Sequence, residues 1–247
     1  MEEIAPYYDF AEYYSHQDKS QNLTQWIYQL VRNYSISKKV DLIGKFIEEG
    51  KLLDYGCGTG EFLMEAKINL WKVSGIEPND KARSKANQKL GDRVLASIDE
   101  LKKESTYDVI TLFHVLEHIH DLRKTTKKLL NHLKSNGYII IAVPNHQSWD
   151  GKYYGKHWAG WDVPRHLYHF DMNTMERFTE EFDLNLIEIK PMYFDAYYVS
   201  LLSEKYKNQK AGLLPTYLRA IKNGWKSNAN AEKPGTYSSN IFIFQKK

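Results

Sequence analysis

Lys51-Leu52-Leu53-Asp54-Tyr55-Gly56-Cys57-Gly58-Thr59-Gly60 decides how this chain folds. A short apolar run closes on an acid, three glycines alternate behind it, and the helix-compatible Glu61-Phe62-Leu63-Met64-Glu65-Ala66 follows. The stretch reads as strand, tight turn, helix. Glycine suits the turn because its backbone takes conformations that a Cβ forbids and lets a ligand come close. The unpaired N–H groups of a helix opening at Thr59–Glu61 point back at the same spot. The plainer alternative is a turn whose glycines serve packing alone. A dinucleotide fingerprint, Gly-x-Gly-x-x-Gly, wants its third small residue at Glu61 but finds the glycine one position early, at Gly60. Asp54 would also repel a pyrophosphate.

Outward from this stretch the chain is that of a globular protein. Its 247 residues, 42% hydrophobic and 26% charged, suffice for one substantial core, with a single α/β domain carrying insertions as the natural fit. A net charge of +3, spread along the chain, is too mild to argue for a nucleic-acid partner. The longest apolar run, Tyr138 to Pro144, is too short for a membrane span. Met1-Glu2-Glu3-Ile4 lacks the basic and apolar regions of a signal peptide. The lone Cys57 excludes an internal disulfide and fits a reducing cytoplasm. With no helper base beside it in sequence, Cys57 reads as a small residue fitted into the turn rather than a nucleophile. Aromatic residues make up 14% of the chain and gather near the N-terminus and between positions 149 and 170.

Residues 1–49 read as an N-terminal helical cover. The spacing of Leu23, Trp26, Ile27, Leu30 and Val31 is helical, and a second helix over Ser37–Glu49 ends at Gly50. The core then occupies 50–247, with insertions at 146–171 and 193–237. A second strand, Trp71–Ile76, leads into Glu77-Pro78; Glu77 stands 23 positions beyond Asp54, the spacing of a carboxylate that holds ribose hydroxyls on the neighbouring strand. The plain reading of Glu77 is a solvent-facing acid at a strand end. A helix over Asn79–Leu90, a short strand Arg93–Leu95 and then Ser97-Ile98 follow. Tyr107–Phe113 is a buried-type strand running into His114-Val115-Leu116-Glu117-His118-Ile119, and a helix covers Asp121–Leu133. Asn136-Gly137 turns the chain into the near-continuous apolar strand Tyr138–Val143, which Pro144-Asn145 ends. Further on come a helix from Asn173 to Phe182, capped by Asn173 or Asp171, and a strand over Leu184–Met192. The second insertion offers helices at Tyr197–Lys205 and Pro215–Gly224 and a polar stretch at Lys226–Gly235, and Ser239–Gln245 closes the sheet.

The Asp-x-Gly-x-Gly-x-Gly pattern of Asp54–Gly60 resembles the first motif of the class I S-adenosylmethionine-dependent methyltransferases, and Val115-Leu116-Glu117-His118-Ile119 resembles a frequent signature after their fourth strand. The resemblance covers about residues 50 to 192 and the last strand. It implies a Rossmann-like α/β fold: a doubly wound seven-stranded sheet, mostly parallel, with the last strand antiparallel between the fifth and sixth. It implies S-adenosylmethionine as cofactor, with S-adenosylhomocysteine as product. The cofactor would lie along Asp54, Tyr55, Gly56, Cys57, Gly58, Gly60, Glu77, Pro78, Ser97, Ile98, Phe113 and His114. Asp54 suits a ligand carrying an ammonium and a sulfonium. Ser97 departs from the acid that family members often place there, so the adenine amino group is expected to meet backbone or water. Tyr14 and His16 would reach the ligand from the N-terminal cover, although packing explains those aromatics equally well.

In this fold the loop after the fifth strand overlies the methyl acceptor, which points to Asn145, Trp158, Trp161, Arg165 and His166 as substrate-side residues. For the tryptophans, an extra packed layer is the equal alternative. A hydroxyl acceptor needs a base; His166 is the first candidate and His114, at the tip of strand four, the second. The expected activity is methyl transfer to a small molecule, most naturally at oxygen. The rival readings are a cofactor-binding protein without transferase activity and a nucleic-acid methyltransferase. The latter lacks the Asn-Pro-Pro-Tyr-type clamp, since His114-Val115-Leu116-Glu117 stands in its place. His114-Val115-Leu116-Glu117-His118 also spells an inverted zinc-peptidase motif. Zinc would need both histidines on one face of a continuous helix, and a β-branched strand ends immediately before His114, so no metal is assigned. No membrane span and no nucleic acid are expected, and the chain is expected to act as a monomer or homodimer in the cytoplasm.

Overall fold

In the computed structural model the described residues are 23–247. The readings of Tyr14 and His16 fall outside them. Among the described residues, those up to Val109 form one compact unit and those from Ile110 a second. The strands follow the order β3-β2-β1-β4-β5-β7-β6 in one seven-stranded sheet.

The first unit starts with α1 (Leu23–Gly44), followed by β1 (Lys51–Tyr55), α2 (Glu61–Ile68), β2 (Lys72–Ile76), α3 (Asp80–Leu90) and β3 (Val94–Leu95). β1 pairs with β2 and β2 with β3, both in parallel. α1 corrects the expectation of two helices: one helix runs through Ser35-Ile36-Ser37 and stops at Gly44. Serine lowers helix propensity only mildly, and no proline or glycine interrupts the run. Gly50 is therefore not a helix cap. A Cβ there would sit 2.8 Å from Oδ2 of Asp108, the same oxygen that accepts the Lys51 N–H at 2.8 Å. α3 has an Asn79 N-cap, whose side chain accepts from the Ala82 N–H at 3.0 Å.

β4 (Tyr107–Phe113) crosses from one unit into the next. Then come α4 (Leu122–His132), β5 (Leu133–Pro144), α5 (Trp149–Tyr154), α6 (Met172–Glu181), β6 (Leu184–Pro191), α7 (Asp195–Lys207), α8 (Leu213–Ala229) and β7 (Ser239–Lys246). β7 lies antiparallel to both β5 and β6, as the family resemblance implied. The paired part of β5 begins at Tyr138, but the strand already starts at Leu133 and passes Asn136 in the left-handed region, at φ 61°. α6 carries a full capping box, with Asp171 rather than Asn173 as N-cap. Val109, Ile110, Leu112, Ile139, Ile140, Ile141 and Phe244 are buried, as a sheet covered on both faces requires.

The two insertions expected at 146–171 and 193–237 share one buried polar hub. Asp150 accepts hydrogen bonds from Trp158 Nε1 (2.8 Å), Ser238 Oγ (2.8 Å) and Ser227 Oγ (2.6 Å). Beside it, Glu204 accepts from Tyr154 Oη at 3.1 Å and from Asn223 Nδ2 at 3.1 Å. Asp150→Ala leaves three buried donors without an acceptor, which should cost roughly 3 kcal/mol or more in denaturant unfolding. A loss below about 1 kcal/mol would show that the hub does not hold this layer together.

Candidate functional site

In the first unit the site grows from the end of β1. Asp54 is buried there, and Gly56, Gly58 and Gly60 follow at φ 76°, 56° and 81°. All three lie in the left-handed region, where a Cβ is strained, so the alternation has a conformational cause. Gly60 is also needed for close packing, since a Cβ on it would come within 3.1 Å of Ala86 and Leu90 on α3. At Gly58 the reverse holds: a Cβ would meet nothing within 4 Å. The turn is therefore an open cradle at that point.

The Glu77 carboxylate fixes the cradle. One oxygen accepts the Gly58 N–H at 2.8 Å and the other the Asn79 N–H at 2.8 Å, linking the glycine turn to the start of α3. Burial pushes the carboxyl above its ordinary range, and the two backbone donors and Arg83 offset this only in part. A carboxylate with spare lone pairs and incomplete compensation suits a ligand that brings further donors. The raised value also sets a sign: ligand donors favour the ionised form, so affinity should fall as the pH drops into the acid range.

Cys57 is buried, and a Cβ on Gly75 would lie 2.7 Å from its sulfur. Burial drives the thiol far above its ordinary value, with Asp54 and Glu77 adding to the effect. The side chain is packing, while its backbone belongs to the turn. Ser97 caps the short 3₁₀ turn Ile98–Glu100 by accepting the Asp99 N–H at 3.2 Å, and Ile98 is buried. At the head of α2, Glu61 binds Lys89 (2.8 Å) and Arg32 of α1 (3.1 Å). This tie between the N-terminal helix and the glycine turn leaves no mark in the sequence, because its partners come from three separate elements.

The second unit has its own cluster, beyond Phe113 at the end of β4. His114 adopts φ 58°, a left-handed conformation costly for a residue with a Cβ, and its N–H is held by the Ala142 carbonyl at 3.0 Å. Its Nε2 lies 2.9 Å from Asp195 and its Nδ1 3.5 Å from Glu117. Burial alone would lower the imidazole's pKa; Asp195, then Glu117, outweigh it and raise it to about 9. His114 is thus a cation at neutral pH and has no lone pair to offer as a base. The ion pairs' stabilisation is complete below pH 6.5, the ordinary value, and is lost as the pH rises through about 9. An NMR titration of the ring protons should show that midpoint, and Asp195→Asn should lower it; a wild-type midpoint near 6.5 would contradict the assignment.

Glu117 is only 1% exposed, and neither carboxylate oxygen has a hydrogen-bond partner. Burial opposes its charge, but His114, His118 and His166 around it win and hold the carboxyl below its ordinary range. The loop carrying Arg165 and His166 is strapped to it, the Leu167 N–H donating to the Glu117 carbonyl at 2.8 Å. His118 Nδ1 lies 3.0 Å from the Arg165 carbonyl and His166 Nδ1 2.9 Å from the Gly160 carbonyl. A carbonyl only accepts, so each Nδ1 carries a hydrogen. Burial lowers the His166 pKa, His118 adds to that, and Glu117 opposes it. His166 is a neutral imidazole at pH 7.

Glu117, His118 and His166 can each bring a ligand atom within 4.8 Å of the others. This trio, and not the linear pair His114 and His118, is where a cation could be held. Of the two histidines of the linear motif, His114 precedes and His118 ends a 3₁₀ turn, Leu116–His118, which is no platform for a helical zinc site.

Other substrate-side expectations meet different surroundings. Trp158 is buried with its Nε1 committed to Asp150, so it belongs to the insertion's core. Asn145 donates both amide hydrogens to the carbonyls of Gly235 (3.1 Å) and Tyr237 (3.2 Å) and accepts the Gln147 N–H at 3.0 Å. Trp161 is half-buried and stacks edge-on with His169 at 4.9 Å. Arg165 forms a two-nitrogen pair with Oδ1 of Asp162, at 3.1 and 2.6 Å.

A family model described as a methyltransferase domain matches residues 28–189. The ubiquinone biosynthesis O-methyltransferase of Rickettsia akari is 22% identical over 206 residues, covering 78% of this chain and 82% of the relative. Its counterpart in Pelagibacter ubique is 33% identical over 114 residues, 43% of this chain, and the chain spans 47% of that relative. Among solved structures, magnesium protoporphyrin IX methyltransferase from Synechocystis, with bound S-adenosylhomocysteine, superposes with a TM-score of 0.63 at 13% identity, covering both chains in full.

Proposed function

Since the chain belongs to the methyltransferase-domain family, we propose that it transfers a methyl group from S-adenosylmethionine to an oxygen of a small-molecule acceptor. The observation that carries this reading is the open glycine cradle pinned by the Glu77 carboxylate. When bound, S-adenosylmethionine supplies a methyl group already activated by a positively charged sulfur. The chain's residues hold and align. Asp54 offers its charge to the ammonium end, and the turn Tyr55–Gly60 presents backbone. Glu77 and Pro78 would hold the ribose, and Ser97 and Ile98 the base. With the methyl already activated, the chain's main contribution is alignment in a site closed to water.

His166 is the proposed base. Its Nε2 lone pair is free of the tautomer-fixing bond to Gly160, and its lowered pKa keeps that lone pair available at neutral pH. Glu117 stabilises the imidazolium that forms when His166 takes the acceptor's proton. The names of the Rickettsia and Pelagibacter relatives, both O-methyltransferases of ubiquinone biosynthesis, favour a hydroxyl acceptor. Trp161 and Arg165 are proposed to border it. No metal step is invoked, and stoichiometric zinc in protein purified without a histidine tag would overturn the free-base role of His166.

Among the described residues no helix is long and apolar enough to cross a membrane, and a cytoplasmic monomer or homodimer is the proposed form. The test is release of S-adenosylhomocysteine on incubation with S-adenosylmethionine and a panel of hydroxylated aromatic, lipid and sugar acceptors. Turnover with one acceptor class supports the reading. Cofactor uptake without turnover on any would favour a non-catalytic binder, and methylation of an oligonucleotide would replace the small-molecule reading.

A further inference from the structure

Helix α8 is amphipathic in the reverse sense. Its buried residues are Thr216, Ala220, Asn223, Gly224 and Ser227, small or polar throughout. Leu214, Leu218, Ile221 and Trp225 are 58–70% exposed. At 3.6 residues per turn these four fall within an arc of about 60°. The helix cannot roll them inward, because specific contacts fix its register. Ser227 Oγ donates to Asp150 at 2.6 Å, and Asn223 donates to Tyr154 Oη at 2.9 Å and to Glu204 at 3.1 Å. At Gly224 a Cβ would come 2.6 Å from the Tyr197 ring of α7, so only glycine allows that approach. A structure that binds the polar face this firmly has committed the apolar face to something outside.

The charges around the stripe say what. From Lys205 to Ala231 every ionic side chain is basic: Lys205, Lys207, Lys210, Arg219, Lys222 and Lys226. On the helical projection Lys222, Lys226 and Arg219 flank one side of the stripe. A second copy of the chain would bring like charges face to face. An anionic lipid surface accepts both features: leucine, isoleucine and tryptophan enter the headgroup boundary while the bases meet phosphates. We propose that α8 is a membrane-surface helix, docking this chain on anionic lipid without spanning it.

The experiment is flotation of the full chain with vesicles of phosphatidylglycerol and phosphatidylcholine, against vesicles of phosphatidylcholine alone. The chain should float with the anionic vesicles only, and added salt should release it. Replacing Leu218, Ile221 and Trp225 together by serine should weaken binding about tenfold or more while leaving the thermal midpoint unchanged, since all three are exposed. Replacing Arg219, Lys222 and Lys226 by serine should abolish the preference for anionic lipid. Failure to float, or undiminished floating of the triple serine variant, would overturn the proposal. So would a dimer seen in sedimentation that dissociates in that variant without any vesicle binding, which would assign the face to a second copy. The readout is lipid partition, so it succeeds or fails independently of methyl transfer.

Discussion

Glu77→Ala is expected to weaken S-adenosylhomocysteine binding by about a hundredfold or more, because the carboxylate acts on the site twice. It holds the Gly58 and Asn79 N–H groups, each at 2.8 Å, and so keeps the cradle in shape. It is also the acceptor that the reading assigns to the ribose hydroxyls. Each hydrogen bond to a charged group contributes roughly 1.5–3 kcal/mol, and two lost bonds already account for a loss of this size. Glu77→Gln keeps one acceptor oxygen and should fall between the wild type and alanine. Titration calorimetry measures all three, with circular dichroism checking that the fold is kept. Full affinity in Glu77→Ala would remove this carboxylate from the cofactor site.

His166→Ala should reduce turnover about a hundredfold or more, the range for losing a general base, and leave cofactor affinity alone. The wild-type rate should be level across neutral pH and fall only in acid, because burial holds the His166 pKa below its ordinary value. Glu117→Gln removes the charge that stabilises the imidazolium, and it should slow turnover and lower that acid limb further. A merely structural role for His166 would move stability and cofactor affinity with the rate. An unchanged rate would exclude it as the base.

The strand, turn and helix around Asp54–Gly60 were legible because three alternating positive φ angles leave a trace in the sequence: glycine takes them without strain. The position of Glu77 at the end of β2 was legible by spacing, and the antiparallel β7 through the family resemblance. Other features leave no local trace. Asp195 reaches His114 from an insertion far along the chain, so its charge and the imidazole's protonation are invisible to motif reading. Glu117 was visible as part of a metal-like pattern, but only its burial among three histidines distinguishes it. Trp158 and Asn145 looked like pocket residues, and which way a loop residue points is decided by Asp150 and by the Gly235–Tyr237 backbone. The same polar hub explains α8. Periodicity finds an amphipathic helix but assumes the apolar side faces in, and here buried hydrogen bonds reverse it.

The most direct measurement is a crystal structure of the chain grown with S-adenosylhomocysteine. The account predicts the ribose hydroxyls on Glu77, the amino-acid end beside Asp54, and the nucleoside passing the open face of Gly58. Density for the nucleoside elsewhere, or none at saturating concentration, would contradict it.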